Sequence, residues 1–308
     1  PAADTTAKRR LPILAELKEI VSAFVYSVWL GAKLVMGRRS LAWLVFSYSL
    51  PLVLHRYLEN VVFAQYAAQG LGVPSSQQKL VAGANLGELA GALFVFLFSR
   101  AVATPLPWLR LDAITLAVVW IFPLADPLGL GISVETWVWC LFPVMLVVSF
   151  GWAAGDCSLV AFVQSHIAAE PERDARASAL ASVMAFLYML YIVLFAVIAP
   201  LMGSVLDAFL APVTLQFGST TPPVEVRLPV VREAMFYTAG VFMTCCGVFI
   251  LASTFVPRGA LAFNPKMIGE DRKSRSDAEG GAPASPMVVS QEKRTEGPTS
   301  PTNEELRS

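Results

Sequence analysis

Six long apolar runs, each close to the length needed to cross a lipid bilayer, limit what this chain can fold into. A helix needs about 20 residues to cross roughly 30 Å of hydrocarbon at 1.5 Å per residue. Charged residues form 15% of the chain, against about 25% in an ordinary soluble domain. We therefore predict an all-α polytopic membrane protein with six transmembrane helices. The runs cover residues 41–68, 80–98, 109–124, 134–160, 177–210 and 230–256.

Basic residues around these runs indicate the orientation in the membrane. Lys and Arg are enriched in cytoplasmic flanks, and here they concentrate before Leu41, in the second and fourth connections, and after residue 256. This distribution predicts that both ends of the chain are cytoplasmic. A cysteine probe near Gly131 should then be labelled from outside, and one near Asp174 should not. A plasma-membrane and a vacuolar location both remain open.

The two ends differ from the apolar bundle in composition. Residues 1–40 form a predicted cytoplasmic segment, in which apolar residues of 11–36 recur at helical spacing and favour an amphipathic helix on the membrane surface. A seventh span is the alternative. Residues 41–256 form the predicted bundle. Residues 257–308 are rich in Glu, Lys, Ser, Pro and Gly, which predicts a disordered cytoplasmic tail.

The first apolar run contains His55, Arg56, Glu59 and Asn60 within six residues. Polar groups at membrane depth are costly, so they are expected to pair or to line a water-filled path. Counting along consecutive antiparallel spans puts Arg56 and Glu88 at similar depth, and we predict that they form an ion pair. A structural clamp and a working site are both open interpretations. The candidate substrate or proton-path residues are His55, Arg56, Glu59, Asn60, Asn85 and Glu88.

Other charged groups lie near predicted span ends. Arg100, Arg110, Asp112 and Asp156 are candidates for a cytoplasmic gate. The alternative for Asp112 and Asp156 is that they are solvated or paired carboxylates at the membrane boundary.

Glycines and prolines predict how the spans pack. Gly83, Gly87 and Gly91 lie four residues apart on one helix face, which allows close approach of a neighbouring backbone. Gly151 and Gly155 repeat this spacing. Pro51, Pro143 and Pro200 fall inside spans and permit kinks.

Residue types that carry enzyme chemistry are scarce. The chain has two histidines and four cysteines, without a CxxC pair, GxSxG or HExxH motif. We expect no cofactor, no bound metal and no enzymatic activity. The formal net charge is zero, and it offers no electrostatic argument for a nucleic-acid partner.

The layout resembles the C-terminal half of a major facilitator superfamily transporter. The resemblance rests on the "GRRSLAWL" entry at 37–44, on "YSLPLVLHRYLEN" followed by "GANLGELAGAL", and on six spans in a three-plus-three arrangement. It is closest to fungal members without an assigned substrate. The family's GxxxDRxGRR loop motif would fall where this chain reads "LFSRAVATPLPWLRLD", which keeps Arg100 and Arg110 but lacks the Asp-Arg core.

This resemblance implies a secondary carrier of a small solute. His55, Glu59 and Glu88 are the candidate groups for coupling this carrier to protons. The partners it implies are the lipid bilayer, the small-molecule substrate and an N-terminal six-helix half, which we expect upstream of Pro1. Aromatic residues such as Tyr188 and Tyr191 would suit an apolar substrate. A non-transporting membrane receptor or assembly protein is the alternative, and a membrane enzyme is disfavoured.

Overall fold

The computed structural model describes residues 13–98, 102, 104–167, 178–217, 222–257 and 259–262. Every regular element in these ranges is helical, which confirms the all-α prediction. Together the helices form a polytopic bundle of the kind found in multi-pass integral membrane proteins. We number the long helices α1 (Ile13–Met36), α2 (residues 39–70), α3 (Ser76–Phe98), α4 (Leu106–Leu124), α5 (Val134–Ile167), α6 (Ala179–Phe217) and α7 (Val224–Ser253).

Six of these helices are long and apolar enough to cross a membrane, but they are not the six predicted runs. The set contains α1 and does not contain α2. In α2 the helix is divided into short α and π segments, and it carries His55, Arg56 and Glu59. The other five runs match α3 to α7, with α5 and α6 longer than predicted. At about 1.5 Å per residue, α5 and α6 exceed a 30 Å hydrocarbon core.

Helix α1 packs against α6. The hydroxyls of Ser27 and Ser182 are 3.2 Å apart. A Cβ added at Gly31 would overlap the Ser182 carbonyl oxygen, so the two backbones touch at this point. The side of α1 away from α6 exposes Leu17, Ile20 and other large apolar side chains. A surface position for α1 stays a prediction, and most of the predicted tail, from residue 263 onward, lies outside the described residues.

Ion pairs and capping contacts hold the ends of neighbouring helices together. At one end, Lys79 of α3 pairs with Glu135 of α5, and Arg232 of α7 pairs with Asp126 beyond α4. At the other end, the Arg38 guanidinium donates to the carbonyl of His166 in α5. Arg110 of α4 donates to Thr254 Oγ1 after α7, at 3.1 Å. These contacts join α3 with α5 and α4 with α7 near one set of helix ends, and the start of α2 with α5 and α4 with α7 near the other.

The glycine prediction for α3 is confirmed. A Cβ added at Gly83 would lie 2.5 Å from the carbonyl oxygen of Phe142 in α5. At Gly87 and Gly91 it would lie closer still to the carbonyl oxygens of Leu146 and Phe150. Without a hydrophobic driving force between helices in lipid, such close packing supplies much of the association. The whole α3–α5 contact therefore depends on missing side chains.

Helix α2 has an unusual backbone. It contains three π segments, Val45–Ser49, Leu58–Val62 and Tyr66–Gly70, joined by residues that keep right-handed helical dihedral angles. Pro51 follows the first of them. π segments are rare and occur frequently at functional sites. Helix α7 contains a fourth π segment, Phe236–Val241.

Two separate apolar cores fill the bundle. One core includes the second half of α2, the first part of α5 and most of α7. The other includes the first half of α2, the last part of α5, and residues of α1 and α6. Along α2 the change from one core to the other falls between Leu52 and Leu54, and along α4 it falls between Leu109 and Ala113. His55 and Asp112 lie at this boundary, so a buried polar layer separates the two cores.

Candidate functional site

A histidine and an aspartate form the centre of the polar layer. The Nε2 atom of His55 in α2 lies 2.8 Å from Oδ1 of Asp112 in α4. The relative exposure of His55 is 2% and that of Asp112 is 0%. The second carboxylate oxygen of Asp112, Oδ2, has no hydrogen-bond partner among the described residues. The low exposure of both side chains keeps this contact away from bulk water.

Close helix packing brings Asp112 into this position. A Cβ added at Gly151 of α5 would lie 2.8 Å from the backbone nitrogen of Asp112. The predicted role of Gly151 in close packing is therefore confirmed, and its partner is α4. Trp152, the next residue, stacks on the His55 ring with centroids 5.4 Å apart. The glycine and the tryptophan together fix α5 against the His55–Asp112 pair.

Trp152 also links the pair to a second polar contact. The ring of Tyr48 in α2 stacks on Trp152, with centroids 5.4 Å apart. The Tyr48 hydroxyl donates a 2.8 Å hydrogen bond to Oδ1 of Asp156, one turn after Trp152 on α5. Tyr48 is fully buried, whereas Asp156 is half-buried. Sequence reasoning missed Tyr48 and Trp152, because an aromatic residue in an apolar run gives no signal that separates a site residue from core.

Arg56 does not form the predicted ion pair with Glu88. Its Nη1 atom lies 2.7 Å from Oε2 of Glu59, three residues along the same helix. Asn60, which is exposed, donates to the carbonyl oxygen of Arg56 at 2.9 Å. The local partner is favoured because residues three apart already lie on one helix face. Arg56 and Glu59 thus form a pair on one face of α2, and the predicted pairing of Arg56 with Glu88 was wrong.

A cleft of about 640 Å³ lies beside these groups. Its polar side chains include Arg56 from α2, Asn85 and Glu88 from α3, and Asp156 from α5. Trp152 and two tyrosines of α6 supply aromatic walls. The complete lining is Leu52, Arg56, Asn85, Glu88, Leu89, Ala92, Trp152, Ala153, Asp156, Cys157, Tyr188 and Tyr191. Volumes of 300 to 1,000 Å³ are typical of small-molecule sites, which also have few polar groups on mostly apolar walls.

The cleft divides the predicted site residues into two groups. Arg56, Asn85, Glu88 and Asp156 line it, whereas His55, Asp112 and Glu59 lie outside its lining. Oε1 of Glu59 is buried and has no hydrogen-bond partner among the described residues. Trp152, which was not predicted, connects the two groups, because it lines the cleft and stacks on His55.

The four gate candidates have separate positions. Asp112 belongs to the polar layer, where it is paired with His55, and Asp156 belongs to the cleft. Arg110 instead caps the end of α7, where it donates to the carbonyl oxygens of Thr254 and Ala260 and stacks on Phe255. Arg100 lies outside the described residues. In the described part of the chain, no three His, Cys, Asp or Glu side chains are grouped to hold a metal ion.

Comparison of the chain with family models, with curated proteins and with solved structures found no match. The fold and the site define the class of this molecule: an all-α, multi-pass membrane protein with a polar cleft beside a buried His–Asp pair.

Proposed function

We propose that this chain is one six-helix half of a secondary carrier of the major facilitator type, which moves a small solute across a membrane. The cleft carries the proposal, because it is a small-molecule-sized space bounded by helices and lined by charged groups. Polar residues at membrane depth usually mark a substrate or ion path. In this proposal both ends of the chain are cytoplasmic and α2 to α7 cross the membrane, with α1 outside it.

The distribution of the lining residues among the helices supports a carrier. If α2 to α7 are grouped in threes, the first two helices of each group line the cleft, α2 and α3 in one and α5 and α6 in the other. The third members, α4 and α7, contribute no lining residue. Halves of major facilitator proteins are built from two three-helix repeats, with the substrate site near the bilayer midplane. In this proposal a second six-helix half closes the cleft from the opposite side.

The His55–Asp112 pair is the proposed proton-carrying group of this carrier. It lies behind Trp152, so a change of protonation there can act on the cleft wall without direct solute contact. Of the predicted proton-path residues, His55 fits this role through its 2.8 Å contact with Asp112. Glu88 is assigned to the cleft.

The test uses the full-length protein that contains this chain, reconstituted in vesicles with a pH-sensitive dye inside. Sugars, amino acids, carboxylic acids and amines are added one class at a time under a pH gradient. We expect one class to change the internal pH with the wild-type protein. Asp112→Asn, which keeps a hydrogen-bonding side chain but removes the charge, should abolish this change. Asp207→Asn, at an exposed position on α6, is the control and should leave it intact.

A folded protein that moves no solute class in either gradient direction would contradict the carrier proposal. It would favour the alternative of a non-transporting receptor or assembly protein. Chemical conversion of a solute by the purified protein would instead indicate an enzyme.

A further inference from the structure

We propose that the cleft binds a small organic cation, with Glu88 as its principal counter-charge. This inference rests on the proposed function in one respect, since it names the substrate class of the proposed carrier. The binding site itself is argued from the charges and rings that line the cleft.

The charge balance of the cleft is negative. Its lining contains one cation, Arg56, and two carboxylates, Glu88 and Asp156. Arg56 is already engaged by Glu59 at 2.7 Å, so its charge is compensated from outside the lining. With Glu59 included, three carboxylates face one guanidinium. An excess of one charge in a partly buried site is costly, and a ligand of the opposite charge relieves that cost.

The two lining carboxylates have different contacts. Asp156 accepts the hydroxyl proton of Tyr48 at 2.8 Å, which holds its position. Glu88 is half-buried, and no hydrogen bond or ion pair joins it to a described residue. It is therefore the carboxylate with both oxygens open to a ligand. An ammonium group fits this position, because it offers several N–H donors or, when fully alkylated, a compact positive charge.

The aromatic walls favour the same class of ligand. Trp152, Tyr188 and Tyr191 line the cleft, and the rings of Tyr188 and Tyr191 lie edge to face with centroids 6.5 Å apart. Aromatic faces attract organic cations, and groups of aromatic rings recognise alkylated ammonium ions in particular. An anionic solute would meet two carboxylates and a guanidinium that is already paired. A cation with an apolar body matches both the charges and the rings.

Cys157 offers a direct measurement of the charge in the cleft. Its thiol is exposed and belongs to the lining. In full-length protein from which Cys140, Cys245 and Cys246 are removed by alanine substitution, Cys157 is the reporter among the four cysteines of this chain. Its rates of modification by a trimethylammonium-ethyl and by a sulfonato-ethyl methanethiosulfonate give a cation-to-anion ratio. The same ratio at Leu130→Cys, in an exposed loop of the cysteine-free chain, corrects for intrinsic reactivity.

After this correction, we expect the cationic reagent to modify Cys157 about ten times faster than the anionic reagent. The reason is that a nearby carboxylate attracts the cationic reagent and repels the anionic one. Glu88→Gln should lower the ratio several-fold, and Asp207→Asn should not change it. Tetraethylammonium should slow the modification of Cys157, whereas benzenesulfonate at the same concentration should not. A ratio near one, or protection by benzenesulfonate alone, would overturn the inference.

The two proposals fail in different ways. A cation preference at Cys157 in a protein that moves no solute would leave the cation site standing and remove the carrier function. Flux of a neutral or anionic solute, without a cation preference at Cys157, would support the carrier and overturn the cation site.

Discussion

Helices α2 and α3 are neighbours in sequence but pack in different ways, α3 through glycines and α2 with buried polar side chains. Helix α3 is a regular α-helix that meets α5 through three glycines, with backbone against side-chain-free backbone. Helix α2 is divided by three π segments and carries His55 and Glu59, both buried. The apolar contact of α3 with α5 thus depends on a regular α-helix and on the close approach of the two backbones. In α2, His55 lies in an α segment between two π segments, and Glu59 lies in the second of these π segments.

The largest effect should come from filling the α3–α5 contact. Gly87→Leu places a side chain against the Leu146 carbonyl oxygen, and this backbone cannot move aside without separating the helices. We expect a loss of more than about 3 kcal/mol of stability, at the upper end of overpacking costs. Gly203→Leu is the matched control, because nothing lies within 4 Å of its added Cβ. The thermal unfolding midpoint in detergent measures both variants, and equal midpoints would show that the glycine contact is not needed.

An intermediate effect is expected in the polar layer. Asp112→Ala leaves the buried His55 ring without its 2.8 Å partner, which should cost about 2 to 4 kcal/mol. Replacing both residues by leucine should recover most of this loss, because a buried pair is often replaceable by apolar side chains. Thermal unfolding of the two variants in detergent is the measurement. If the double-leucine variant were as unstable as Asp112→Ala, the pair would contribute to stability through more than the contact between its two side chains.

The smallest effect concerns the choice between two partners of Arg56. Arg56→Gln removes the cation from the buried Glu59 carboxylate, and we expect a loss of about 1 kcal/mol because Arg56 is partly exposed. Glu88→Gln should leave stability nearly unchanged, since the Arg56–Glu59 contact is kept. Chemical unfolding of both variants decides the comparison. A loss with Glu88→Gln equal to that with Arg56→Gln would restore the ion pair predicted from the sequence.

Much of the fold could be predicted from the sequence, because runs of apolar residues and glycine spacing are local properties. The helical class, five of the six helices that are long and apolar enough to span a membrane, and the α3 glycine contact follow from them. Composition did not decide between α1 and α2, since both carry charged residues, four in α1 and three in α2. A helix of 32 residues is about 48 Å long and can extend beyond a 30 Å core at either end.

Because a long helix can extend beyond the core at either end, the depth of its residues is not fixed by the apolar run. For this reason the site was only partly predicted. Depth was counted from the ends of apolar runs, which put Asp112 at the membrane boundary and His55 far from it. The two side chains are nevertheless in contact, so counting residues from the run ends did not give their relative position. The close contact of Gly151 with Asp112 also joins distant parts of the chain, and apolar runs do not reveal it. The charged residues of the site could be named in advance, but not how they pair.

The π segments of α2 also affect which of its residues lie on the same face of the helix. A π turn holds about one residue more than an α turn, and each residue in an α-helix corresponds to a rotation of about 100°. Each of the three π segments therefore contains about one extra residue. In an uninterrupted α-helix, this residue would rotate all following side chains by about 100°. The side chains at the two ends of α2 therefore face the same sides as they would in a shorter α-helix. The π segments accommodate the extra residues by a local widening of the helix. Deletion of one residue within a π segment of α2 is thus compatible with an unchanged bundle, whereas a deletion in α3 would rotate the glycines that follow it off α5.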